Sequence, residues 1–366
     1  MLSRKAEESA NEGRNKRIVL ITHFNVFLYA ACYWIQSGTL PYLTKSLGAD
    51  PVIFGRLKTV FSLCQLVGGP IYGRLGDLMG ERTALITAFS ASVLTYTLTG
   101  LATSLPLLFL SRVPSVFLHV MQGSQMVVTA LSVSNDRAAS LARLGFSYGV
   151  GMVIGPSLGG FVAGAYGEHS AAWLAALGSA VSLALVIYFV PEVPRPREEK
   201  GDSVLNIAKI GALLLIPRAR NLLLLKTICG VPIGVLQSMF SLIAMEQFQL
   251  PPEQNGMVLS YIGGLSMLMQ GVGISACTSR FSDKALLQFS CISLIVSFYL
   301  MALLTTLQDF LLLQVAHDQY HILSTFFMLL RKTMLYIFMF IGANGLLSDA
   351  DQLYSSSFPH SSCSPG

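Results

Sequence analysis

Long apolar stretches separated by short polar ones run through most of this 366-residue chain. A helix that crosses the hydrocarbon core of a bilayer takes about 20 apolar residues. Stretches of that character cover 18–43, 54–76, 83–103, 106–131, 141–165, 170–190, 222–245, 256–277, 286–307 and 322–347. The first is too long and too polar at its ends for a cleaved secretory signal, so it reads as an uncleaved anchor. The longest polar interruption, 191–221, contains PRPREEKGD and separates two sets of spans. The expected order is a polar N-terminus (1–17), a six-helix bundle (18–190), a linker (191–221), a partial second bundle (222–314) and a tail of different character (315–366). Every predicted element is a helix, which makes this an all-α membrane protein.

Composition strengthens that reading. The chain is 53% hydrophobic and only 12% charged, whereas soluble domains carry about 25% charged residues. Its mean hydropathy is +0.60. Such a chain cannot wet a whole surface, which excludes a soluble enzyme, a disordered regulator and a nucleic-acid binder. The six cysteines show no CxxC spacing, so no metal site or disulfide framework is expected. No nucleotide-binding loop, cofactor motif or nucleophile constellation is present in the sequence.

Charge placement sets the expected orientation. Most of the 24 Lys and Arg fall in the N-terminus, the linker and alternate short loops, including Arg17, Arg74, Arg82, Arg137, Arg143 and Arg280. The intervening loops keep only Lys45. Basic loops stay in the cytoplasm, so the N-terminus and the linker are expected there. Arg56, Lys58, Arg112, Lys226, Arg331 and Lys332 lie within or at the edge of apolar runs. Each charge at a bilayer centre costs about 2.5–3.5 kcal/mol. The adjacent Arg331 and Lys332 therefore leave open whether 322–347 crosses the membrane or lies along it.

The two sets of spans echo each other. Gly55 aligns with Gly256 and Phe61 with Ile262, while Gly80-Glu81-Arg82 aligns with Ser282-Asp283-Lys284. The repeat is roughly 200 residues, as in transporters built from two related halves.

Four segments carry candidate chemistry. After the second span, GRLGDLMGER sets Gly73, Asp77, Gly80 and Arg82 in a short charged turn, a latch that rocking helices would break. The fifth span reads GMVIGPSLGG. Gly151, Gly155 and Gly159 recur every four residues, which lets a second backbone approach, and Pro156 removes one helical hydrogen bond; Gly160 follows. On a regular helix Arg112, Ser115, His119 and Gln122 of the fourth span share an arc of about 80°, which should face a wet interior. His119 titrates near neutrality, so it is a candidate proton carrier. Asn25, Tyr29, Tyr33 and Gln36 recur at helical spacing on the first span and are candidates for the same cavity.

The turn and the fifth-span motif resemble those of the major facilitator superfamily, the latter its drug/proton antiporters. PYLTKSLG, LVGGPIYGRLGD and SLARLGFSYGVG are similar to organic-cation-transporter-like members of solute carrier family 22. The resemblance implies two six-helix bundles and exchange of organic cations or drugs for protons, favouring the apical plasma membrane over an internal one. It implies twelve spans where ten are read, hence an incomplete C-terminal bundle, and it fades after Gln314. Two further departures stand out. No Gln-Gly follows Arg112, and Ala130 stands where those antiporters place an acid.

No Asp or Glu lies deep in any span. Cation-for-proton exchange is thus implied by the resemblance and not by the residues. The expectation is a secondary transporter of small organic solutes by alternating access, in contact with membrane lipid and with no cofactor. The alternative is a shortened, transport-incompetent form that acts by binding or by pairing with other carriers.

Overall fold

The computed structural model describes residues 2–131, 137–191 and 217–268, and isolated positions between 288 and 299. Among these residues every regular element is helical. Helix α1 (Leu2–Ser46) carries the apolar stretch Lys16–Ser46, and Gly48 beyond its end turns the chain with a φ of 79°. Helix α2 (Pro51–Gly100) opens on Asp50, whose Oδ1 accepts from the Ile53 amide at 2.6 Å, with Pro51 at the first turn.

At 1.5 Å per residue α2 would be about 75 Å long, far more than the roughly 30 Å of hydrocarbon it must cross. It is broken at Gly80 (φ 86°, ψ 164°), a left-handed conformation that glycine adopts without a Cβ clash. A Cβ on Gly76 would lie 3.6 Å from that of Ala84. Eight residues of straight helix would separate them by about 12 Å. The chain therefore reverses at Gly80, and the two arms are the predicted second and third spans. The segment expected as a loop is mostly helix: Gly73 to Met79 belong to the first arm, and Gly80 alone makes the turn.

The fourth span is not one helix. It consists of α3 (Leu105–Leu110), a 3₁₀ segment (Val113–Phe117) and α4 (Val120–Leu131). Pro114 supplies no amide, the Ser115 and Leu118 amides bond three residues back, and Leu118 leaves helical geometry (φ −81°, ψ 63°). Ser111 and Ser115 hydroxyls donate to the Leu108 and Arg112 carbonyls, competing with the regular ladder. The irregular backbone is accommodated by α2, where a Cβ on Gly68 would fall 1.8 Å from the Val116 carbonyl oxygen.

Helices α5 (Arg137–Tyr166) and α6 (Glu168–Phe189), separated by Gly167 (φ 88°), both pack on α1, and α6 also packs on the second arm of α2. Beyond the linker come α7 (Pro217–Glu246) and α8 (Pro252–Leu268). The predicted linker, the ninth and tenth spans and the end of the eighth lie largely outside the described residues, as does the tail.

Large apolar side chains lie on the surface, and polar groups are buried among an otherwise apolar interior. Leu20, Leu66, Phe161, Leu177 and Tyr188 are exposed, while Asn25, Gln36, Ser92, Thr95, Thr99 and Ser115 are buried. Buried Thr22, Thr39 and Thr44 return their hydroxyls to carbonyls four residues back, so α1 tolerates them without a partner helix. Five of the described helical stretches are long and apolar enough to cross a membrane.

Candidate functional site

The site begins with a charge where charge is costly. Arg112 is 4% exposed. The helix break that precedes the 3₁₀ segment places it at the wall of a pocket bounded by α1, both arms of α2 and the broken fourth span. Its Nη2 donates to Thr99 Oγ1 at 2.6 Å and its Nε to Ser111 Oγ at 3.1 Å. Both partners are neutral hydroxyls, which fix the guanidinium plane and leave its charge uncancelled.

Tyr33, Gln36, Ser37 and Leu40 of α1 line the pocket with Leu57, Lys58 and Phe61 of the first arm of α2. Thr95 and Tyr96 come from the second arm, Leu118 from beyond the break. The space, open side included, is about 430 Å³. Lys58 lies over the Phe54 ring, 5.6 Å from its centre. Gln36 Oε1, Thr95 Oγ1 and the Tyr96 hydroxyl are buried and have no hydrogen-bond partner among the described residues.

The end of the pocket towards Ser46 is closed by contacts from beyond the linker. Leu40, Leu43, Phe54 and Leu57 form an apolar plug that Met239 and Leu242 of α7 cover. Around it, Lys45 pairs with Glu246 at 2.8 Å, the Tyr42 hydroxyl donates to the Leu250 carbonyl at 2.7 Å, and Asn255 Nδ2 donates to the Gly38 carbonyl at 2.9 Å.

A protein-family comparison matches residues 22–356 to the Major Facilitator Superfamily, well over half of the chain and past the point where the resemblance read from sequence fades. The chain belongs to that superfamily. Among curated proteins it is 37% identical to rat solute carrier family 22 member 18, over 81% of this chain and 74% of the relative. It is 26% identical to the class D tetracycline resistance protein of Salmonella ordonez, over 69% of this chain and 64% of that protein. Among solved structures, a human organic anion transporter aligns with a TM-score of 0.60 at 20% identity, covering 85% of both chains. A bacterial homologue of the lysosomal transporter Spinster gives 0.66 at 15% identity, covering 86% of this chain and 75% of that one. At these identities the structural matches establish the fold.

The superfamily's turn motif sits at the Gly80 reversal. Asp77 is exposed there, and Arg82 makes the contact to a neighbouring helix: its Nη2 donates to the Ile187 carbonyl at 2.8 Å, holding the last turn of α6. The fifth-span motif lies on α5, which continues through Pro156. Gly151, Gly155 and Gly159 face α1: a Cβ on them would lie 2.5 Å from the Phe27 carbonyl oxygen, 2.5 Å from that of Ala31 and 2.8 Å from the Ile35 Cα. Gly160 faces α8, where its Cβ would meet the Pro252 carbonyl at 2.3 Å.

The fourth-span arc does not survive in the structure. A 3₁₀ turn advances about 120° per residue against 100° in an α-helix, and the break at Leu118 adds a further change of direction. Arg112 enters the pocket. Ser115 is buried against its own backbone. His119 instead lies against Tyr72 with ring centres 5.3 Å apart and planes tilted by 39°, and Gln122 faces Gly73.

The first-span series also divides. Tyr33 and Gln36 line the pocket, whereas Tyr29 packs between Tyr33 and Tyr148 at 6.3 and 6.4 Å, and Asn25 is buried nearer the N-terminal end. Tyr29 and Tyr72 belong to one buried cluster, and Tyr72 is the ring beside His119. Lys58, Thr95 and Tyr96 complete the site although no motif or spacing in the sequence singles them out. The available signal is Lys58 itself, a lysine inside an apolar run.

Proposed function

We propose that this protein is a secondary carrier that moves a small organic solute across a membrane by alternating access, the solute resting in the Arg112 pocket. One observation carries the reading: a buried cation and three polar groups with no partner among the described residues converge on a cavity inside an apolar-surfaced bundle of this superfamily. Charge inside a membrane bundle is costly and marks a substrate path. The two halves of the proposed cycle are the bundle before the 191–221 linker and the helices after it, with the N-terminus and the linker cytoplasmic. In that orientation the closed end of the pocket is the outer one. The plasma membrane, apical face, is the location the resemblance favours.

The finer expectation, an organic cation exchanged for protons, has the drug/proton-antiporter motif and relatives such as a tetracycline resistance protein behind it. The pocket lining points elsewhere, since it holds two cations and, among the described residues, no carboxylate. Purified protein in liposomes tests the reading. Labelled organic solutes of both charges should enter faster than in protein-free vesicles, with saturation and counterflow. Binding without flux would support the alternative of a carrier-like binding partner. For the proton, His119→Ala should flatten the pH profile of uptake, and an unchanged profile removes His119 from the path.

A further inference from the structure

We infer that the Arg112 pocket selects organic anions, its two cations receiving a carboxylate or similar head group while its apolar wall holds the organic body. The inference rests on the reading of this pocket as the solute site and adds the charge of what it takes.

Two features lead there. Among the described residues Arg112 is held by the Thr99 and Ser111 hydroxyls and meets no carboxylate, so its charge is fixed in place but not neutralised by them. Lys58 reaches the same pocket from another helix and touches the Phe54 ring, again with no acidic partner among the described residues. Two cations in a poorly solvated space repel each other and repel any incoming cation. An anion relieves both effects, because a guanidinium and an ammonium both donate to a carboxylate, and such bonds are roughly twice as strong as neutral ones.

The rest of the wall defines the remainder of the ligand. Tyr96 offers a buried hydroxyl that can donate, and Gln36 a carbonyl that can only accept. Leu57 and Phe61 supply an apolar side. The ligand class that fits is a monoanionic amphiphile carrying a hydroxyl or amide on its body.

Three probes share one body and differ in head group: phenylbutyrate, phenylbutanol and phenylbutylamine. Calorimetric titration of the full chain in lipid nanodiscs should show phenylbutyrate binding at least tenfold more tightly than phenylbutylamine. Lys58→Gln should weaken phenylbutyrate about tenfold more than it weakens phenylbutanol, and an unchanged circular dichroism spectrum and Tm show that the variant is folded. Lys58→Glu should reverse the order of acid and amine. The inference is overturned if the amine binds more tightly to the unaltered protein. It is equally overturned if no probe binds, or if phenylbutyrate is indifferent to Lys58→Gln. Charge-selective binding with no uptake in liposomes would instead overturn the carrier reading and leave the anion site standing.

Discussion

Helix α5 presents small residues on two faces, and the two contacts they make differ in kind. On one face Gly151, Gly155 and Gly159 bring α5 against the α1 backbone, within a single bundle and without a side-chain hydrogen bond from those glycines. On the other, Pro156 and Gly160 meet α8, across the linker. A Cβ on Gly256 would lie 2.3 Å from the Pro156 carbonyl oxygen, and one on Gly263 would lie 3.1 Å from that of Met152. The Met152 carbonyl is the acceptor whose helical donor Pro156 removes. Ser157 and Ser260 hydroxyls bond at 2.7 Å along the same seam. The α1 face, which also carries a contact of 3.1 Å between His23 Nδ1 and Ser147 Oγ, is expected to hold fast, and the α8 face to part when the two sides of the linker move. One motif thus serves both a contact that must hold and one that the proposed cycle must remake.

Three substitutions test that distinction. Gly155→Val drives a branched side chain into the Ala31 backbone, which neither helix can vacate. It should cost about 3 kcal/mol or more, seen as loss of monodisperse protein and a fall in Tm. If Gly155→Val instead folds normally and only slows transport, the α1 face is not static. Gly256→Ala places its methyl against the Pro156 carbonyl and should wedge the seam apart with about 1–3 kcal/mol of strain. Spin labels at exposed Leu158 and Tyr261 should then report longer separations while each side stays folded. An unchanged distance distribution would make the two faces equivalent. The smallest effect is expected at Gly145, on the same helix but with nothing within 4 Å of where a Cβ would lie. Gly145→Ala should stabilise by about 0.4–1 kcal/mol, read as a higher denaturation midpoint.

Most of the helical framework is legible in the apolar pattern. The 18–43 and 141–165 stretches correspond to Lys16–Ser46 and Ser140–Tyr166, and the Gly80 turn falls between two predicted spans. Length and hydropathy alone govern those features. The fourth span escapes because periodicity assumes one helix type, whereas Pro114 and two back-bonded serines create a 3₁₀ insertion that packs against Gly68 of another helix. The pocket is half legible: Arg112, Tyr33 and Gln36 are recognisable as polar residues in spans. Lys58 and Tyr96 join them from different arms of α2, and no spacing along a chain encodes which helices become neighbours.

The closed end of the pocket has a consequence for populations. Lys45 with Glu246, Tyr42 with the Leu250 carbonyl and Asn255 with the Gly38 carbonyl all join residues more than 200 positions apart, and all must part if that end opens. In two of the three the acceptor is main chain, which mutation cannot remove, so the side chain alone sets the strength of the contact. Each 1.4 kcal/mol lost from such contacts shifts a two-state ratio by about tenfold. The fraction of molecules open at this end, and with it the apparent affinity for any solute that enters there, is therefore adjustable through Tyr42 and Asn255 without touching the pocket.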